Sequence, residues 1–300
     1  MSDQLRIQND PKGPVVPPAL LYEMMRSFEA LARTLNLSQA VEQLCSTRQT
    51  VRRHIAQLEE AMGGKLFEVH QRQYCLTDLG ARALKPSRLL LDQGRVWYRG
   101  DFQHVRGLLR FSYEAPSGSA YHQQQQQISV IWSGESELLR AALKAWTASE
   151  GKIESPNLAK VRPYILVFRE NSDGWVCVEV GEKSFYSNWF GWAEARSSVG
   201  RNLQDLPGGE DFASLTIEPF IDVSLGHGVR LDQVVAKMQF GKDEAFQHLA
   251  FDRLLLGVHL PDGTPAIISV VDRARTMGIS DLDGSVLDGM PAKASVDFVP

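Results

Sequence analysis

The residues with the plainest chemical purpose stand close together. Thr47, Arg48, Gln49, Thr50, Arg52 and Arg53 fill six of seven successive positions with hydroxyl, guanidinium and amide groups and no carboxylate. Arginine presents a bidentate pair of donors that suits guanine, glutamine pairs a donor and an acceptor with adenine, and an arginine can also meet a phosphate. Such groups read a duplex only if something rigid carries them, and the apolar spacing around them supplies it. Val51, Ile55 and Leu58 recur at i, i+4 and i+7, and Leu37, Val41 and Leu44 line a shorter helix just before. Cys45 and Ser46 fall between the two, where Ser46 or Thr47 can cap the second helix. With Val51 centred on the buried face and about 100° per residue, Gln49, Arg53 and Ala56 point outward and Thr50 and Arg52 flank them. Two readings stand at this point: a helix docked in the major groove, or a solvated basic helix on an ordinary bundle.

The segment that follows, Leu58-Glu59, Gly63, Leu66-Phe67, a polar hairpin-like run, then Leu76-Thr77 and Gly80, resembles the winged helix-turn-helix of LysR-type transcriptional regulators. Ala40 and Val41 stand where that family has paired small residues. The resemblance covers the first third of the chain and implies sequence-specific binding of double-stranded DNA, a linker helix that pairs protomers into a homodimer or tetramer, and a cytoplasmic location. The chain departs from the family's Ser-Gln-Pro-Ala-Val-Ser-like helix start with Thr47-Arg48-Gln49-Thr50-Val51-Arg52, and Val69 replaces the arginine common after Leu-Phe. The docking mode carries over and the base preference does not. A module that has lost DNA binding and serves protein interaction is the competing reading. Arg72, with Gln71 near the tip of the wing, is placed to touch phosphate or the minor groove, or is simply solvated.

Charge agrees with a DNA-binding head on a body not held to phosphate. Residues 1–100 carry 14 Lys and Arg against 10 Asp and Glu, and the remainder 18 against 26, for nets of +4 and −8. No apolar run reaches the roughly 20 residues of a membrane span. The three cysteines, Cys45, Cys75 and Cys177, are far apart and odd in number, which fits a reducing compartment without a disulfide framework.

In chain order, residues 1–18 read as a disordered tail and 19–77 as the winged helix-turn-helix, beginning with a helix whose stripe includes Leu21, Met24, Phe28 and Leu31. Residues 78–100 read as the linker helix, with Leu79, Ala83, Pro86, Leu90, Gln93 and Trp97 as a heptad seam and Pro86 as a potential kink. Residues 101–127 read as a connector in which Leu108–Tyr113 can be a strand and the glutamine run Gln123–Gln127 has no assigned chemistry. Residues 128–290 read as one further domain. A helix opens at Gly134, strands fall at Tyr164–Phe168 and Trp175–Val180 around an Asn171–Gly174 turn, and helical, aromatic-rich sequence follows. Strands at Val229–Met238, Phe246–Leu260 and Pro265–Val271 close it.

Two strands, short helices and three strands is the order of a PAS domain, and Trp189, Gly191, Ala195, Gly200-Arg201, Leu203 and Leu206 resemble the PAS pattern. The expected fold is therefore α+β: an N-terminal winged helix-turn-helix and linker helix, then a PAS-like antiparallel sheet with flanking helices. The resemblance implies a sensory or assembly role. Trp189, Phe190, Phe212, Phe220 and His227 are the candidate ligand-binding residues, set against the alternative that the aromatics merely form core and that His227 is a loop histidine rather than a haem ligand. Leu203 follows Gly200-Arg201-Asn202 where LOV-type photosensors have cysteine, so that adduct chemistry is excluded at this position. No histidine pair has metal-ligand spacing, and no nucleophile elbow, phosphate loop or HExxH is present, so no enzyme is expected and no cofactor is assigned. Asp281-Leu282-Asp283-Gly284 lacks the later glycine and glutamate of a calcium loop.

Overall fold

The computed structural model describes residues 17–299 apart from 72, 100, 115–117, 172–173, 208, 227 and 239–244. The expected tail, up to residue 16, and the tip of the Asn171–Gly174 turn lie outside the described residues. The chain divides into two compact units, Met1–Leu91 and Asp92–Pro300.

The first unit holds α1 (Leu21–Thr34), α2 (Leu37–Gln43), α3 (Arg48–Met62), the hairpin β1 (Phe67–His70) and β2 (Gln73–Leu76), and the start of α4 (Asp78–Arg99). α2 and α3 each begin where a side chain satisfies their orphan amides. Asn36 accepts from Ser38 N at 2.9 Å, and Thr47 Oγ1 from Thr50 N at 3.1 Å. Gly63, at φ 71°, ends α3 in the left-handed region that glycine adopts without strain. Met24, Phe28, Leu31, Ala40, Val51, Ile55, Leu58, Leu66 and Phe67 form one core. Leu79 and Ala83 of the expected heptad seam pack against that core, so the front of α4 belongs to the head. Pro86 lies within α4, which continues to Arg99.

The second unit is built on an eight-stranded antiparallel sheet. Its strands are β3 (Asp101–Val105), β4 (Leu108–Glu114), β5 (Ala120–Gln126), β6 (Ile165–Asn171), β7 (Gly174–Val180), β8 (Val229–Met238), β9 (Gln247–His259) and β10 (Pro265–Arg273), in the order β3-β4-β5-β8-β9-β10-β6-β7. After β5 come α5 (Val130–Ser133) and α6 (Glu137–Ser149). After β7 come α7 (Phe185–Phe190), α8 (Trp192–Ser197) and α9 (Gly209–Gly226). Side chains alternate across the pleat. Leu166, Phe168, Leu255 and Ile267 pack with Phe220 and Val223 of α9. Val167, Leu254, Leu256, Ile268 and Val270 pack in the cluster that holds Leu138, Leu139, Ala142 and Leu143 of α6. Because helices cover both faces, β8, β9 and β10 are almost continuously buried rather than alternating, with Arg230, Asp232, Gln233 and Arg253 among the buried residues.

Three features differ from expectation. Where a connector is expected at 101–127, the structure has β3, β4 and β5, and the glutamine run lies within the sheet, paired residue for residue with β8 from Ala120↔Lys237 to Gln126↔Leu231. Helix α9 has no counterpart in the sequence reading. It contains Pro219, and residues 216–224 are buried on nearly every side, so no polar face reveals its period. The core also continues past residue 290, where Ala294 and Val296 are buried. Among the described residues no helix is long and apolar enough to cross a membrane.

Candidate functional site

On α3, Val51 is fully buried and Ile55 and Leu58 nearly so, which fixes the rotation of the helix. Arg48, Gln49, Arg52, Arg53 and Ala56 are exposed, Thr50 is half-buried, and Thr47 caps the helix from its exposed position. The six candidate residues thus fall together at one helix start. Of the three arginines Arg48 is tied down: its Nη2 donates to Ser38 Oγ on α2 at 2.8 Å. Among the described residues no carboxylate pairs with Arg52 or Arg53, so their donors remain available. Arg72 lies outside the described residues; beside it Gln71 turns the hairpin at φ 50°.

Two buried polar groups to which the sequence reading gave no task hold this surface in place. His54 shares a 2.8 Å hydrogen bond between its Nδ1 and Ser27 Oγ, tying α3 to α1 inside the core. Nothing in a scatter of seven histidines marks it, because its neighbour is 27 residues away. Glu59, 8% exposed, accepts from Leu66 N at 2.9 Å and from Phe67 N at 3.4 Å, and takes Lys65 Nζ at 2.6 Å. These contacts fasten α3 to the hairpin. Thr77 closes the other side, donating to Lys65 O at 2.6 Å and accepting from Gly80 N at 3.0 Å. A Cβ on Gly80 would lie 2.2 Å from Leu66 O, so only glycine lets α4 approach the hairpin this closely.

A convex start of a helix bearing unpaired arginines and an amide, braced by a hairpin, has the form that enters a major groove. Residues 22–81 match the family model of the bacterial regulatory helix-turn-helix protein, lysR family. This segment has the helix-turn-helix of that family. The match spans a fifth of the chain. Solved structures are similar over about a quarter of the chain. Hydrogen-peroxide-bound OxyR of Corynebacterium glutamicum, in a cysteine-to-serine mutant form, is 20% identical over 28% of this chain and 26% of its own, with a TM-score of 0.26. The BenM DNA-binding domain in complex with catB site 1 DNA is 25% identical over 26% and 86%, TM-score 0.25. The CbnR DNA-binding domain–DNA complex is 28% identical over 26% and 91%, TM-score 0.25. The chain thus spans about a quarter of the length of the OxyR chain it matches. No curated protein matches.

The second unit holds a cavity. A space of about 130 Å³ lies between the sheet and α7, α9 and residues 203–207. Trp189, Phe190 and Phe220, three of the candidate ligand residues, line it together with Phe168, Tyr186 and Phe251. The side chain of Phe212 and all of His227 lie outside the described residues. Polar groups on the wall are few: Arg253, Ser269, Thr216 and the Tyr186 hydroxyl, which shares a 2.8 Å hydrogen bond with Ser198 Oγ. Cys177 is buried behind this wall, and desolvation pushes its thiol up to about 12, so it stays protonated and inert. Among the described residues no group of His, Cys, Asp and Glu could hold a metal ion.

Beside the cavity runs a buried ionic network on the same face of β5, β8 and β9. Arg230, 2% exposed, reaches Glu218, Asp222 and Asp232 at 3.0, 3.1 and 3.0 Å. Gln123 donates to Asp232 Oδ1 at 3.3 Å and accepts from Arg253 Nη2 at 3.0 Å. Burial pushes the Glu218 carboxyl up from its ordinary value, against the pull of Arg230. The glutamine run, read as chemically silent, therefore supplies a buried amide that links two charged strands.

Proposed function

We propose that the chain is a dimeric transcriptional regulator of LysR type whose C-terminal domain is PAS-like and senses a small molecule or mediates assembly. The observation that carries the DNA-binding part is the exposed, acid-free start of α3, with Gln49, Arg52 and Arg53 presented by a core that fixes the helix's rotation. Gln49, Arg52 and Arg53 read base edges, and Arg48, held against α2, meets phosphate. Dimerisation through α4 is supported by Leu90 and Trp97, seven residues apart and 51% and 70% exposed, an apolar row that needs a cover. The PAS-like reading rests on chain order, since β6, β7, helices, β8, β9 and β10 follow one another as two strands, helices and three strands. The ligand reading rests on the cavity lined by Trp189, Phe190 and Phe220.

The test is a gel shift of the full chain with its own upstream DNA against scrambled competitor. Retention that resists the competitor is expected. No retention even at low salt would favour a module that serves protein interaction instead.

A further inference from the structure

The wall of the cavity is apolar except for a few groups, and two of those groups are unmatched. Arg253 is 5% exposed and lines the cavity. Its Nη2 donates to Gln123, and Asp232 stands off at 3.5 Å, already engaged at its other oxygen by Arg230 Nε at 3.0 Å. The Nε of Arg253 is shielded from water and has no hydrogen-bond partner. The side chain lies against the ring of Phe220, with its guanidinium carbon 6.0 Å from the ring centre. Ser269, 6% exposed, also lines the cavity, and its hydroxyl makes no hydrogen bond among the described residues. The two residues share a face: Arg253 pairs with Val271 across β9 and β10, so Ser269 is its diagonal neighbour.

A buried donor without an acceptor is unfavourable, and a guanidinium donor more so than a neutral one. An apolar cavity of about 150 Å³ is large enough for benzene, so this one, at about 130 Å³, has room for a single ring. Resting on the reading of the cavity as a ligand site, we infer that its ligand is a small one-ring apolar molecule carrying an acceptor oxygen, which Arg253 and Ser269 bind while the aromatic wall takes the ring. A carboxylate and an amide carbonyl share this chemistry and differ in charge.

The experiment is isothermal titration of the full-length protein with phenylacetate, phenylacetamide and ethylbenzene. At least one oxygen-bearing probe is expected to bind about tenfold or more tightly than ethylbenzene, the worth of a charge-assisted hydrogen bond. Phenylacetate as the tightest would identify a carboxylate ligand, and phenylacetamide a neutral one; either supports the inference. Ser269→Ala, which leaves the ionic network alone, should weaken the oxygen-bearing probe several-fold and leave ethylbenzene unchanged. Arg253→Gln, if folded, should lose the preference altogether. Equal binding of all three probes, or a preference untouched by Ser269→Ala and by a folded Arg253→Gln, would overturn the role of these two residues while leaving a ligand cavity. Binding of none would overturn the cavity reading itself.

Discussion

Arg48 and Arg52 lie one helical turn apart at the start of α3, both exposed, yet their surroundings divide the work. Arg48 is held on Ser38 of α2 and cannot turn far into a groove. Arg52 has no such tether. Arg52→Ala is therefore expected to lose ~1–3 kcal/mol of discrimination between an operator and its mutated form. Arg48→Ala should weaken both DNAs alike and lower the salt slope by about 1. Titration of each variant against both DNAs at several salt concentrations checks this. Full discrimination by Arg52→Ala, with only a shallower salt slope, would take this helix out of the groove. Inside the head, Ile55→Ala should destabilise by about 2–5 kcal/mol in urea denaturation, because its site in the core cannot collapse without moving α1.

At the scale of elements, α4 and the β9–β10 pair make separate claims. Leu90 is half exposed on α4, so a charge there should leave the stability of a lone protomer within about 0.5 kcal/mol. If α4 pairs two protomers, Leu90→Asp should nonetheless give monomers by sedimentation, with weak DNA binding. An unchanged oligomer would reassign the contact. On the sheet, Asp252 of β9 faces Asp272 of β10 in register. Burial pushes the Asp252 carboxyl up to about 6 from an ordinary 3.8; the Gln233 hydrogen bond opposes that rise and the charge of Asp272 adds to it. The folded chain holds this proton more tightly than the unfolded one. The group thus imposes no penalty below about pH 4 and its full penalty above about pH 6, so stability falls as pH climbs between them. Asp252→Asn, which can still accept from Gln233, should be more stable at pH 7 by on the order of 1–2 kcal/mol, allowing for partial exposure. The gain should vanish near pH 4 in urea titrations.

The molecule as a whole consists of two units, and the second begins earlier than its composition suggests. β5 is hydrogen-bonded along its length to β8, and Tyr121 and Gln123 are buried in that sheet. A fragment of residues 128–300 would strip β8 of its neighbour and leave Asp232 and Arg253 without Gln123. A fragment of residues 92–300 keeps all eight strands. The longer fragment should unfold in one cooperative transition monitored by near-UV circular dichroism, while the shorter should aggregate or lose its near-UV signal. Equal cooperativity of the two would return β3–β5 to the role of a connector.

What the sequence determined by itself is local and periodic. Val51, Ile55 and Leu58 at helical spacing dictate which side of α3 faces out. The Leu58-Glu59 to Gly80 motif carries the family of the head, and runs such as Val229–Met238 read as strands because β-branched residues fit a pleat. What only the tertiary structure decided depends on partners far apart in the chain. A run of glutamines looks like a spacer until Asp232 and Arg253, more than 100 residues away, are seen to satisfy Gln123. Glu59 is named by the motif, but its task appears only when the hairpin's amides are found against it. Helix α9 has no stripe to read, because a helix buried on nearly all sides needs apolar residues on each of them. Arg253 sits in an ordinary apolar strand by its neighbours in sequence, and only the closure of α7 and α9 over the sheet turns it into a lone cationic group on an aromatic wall.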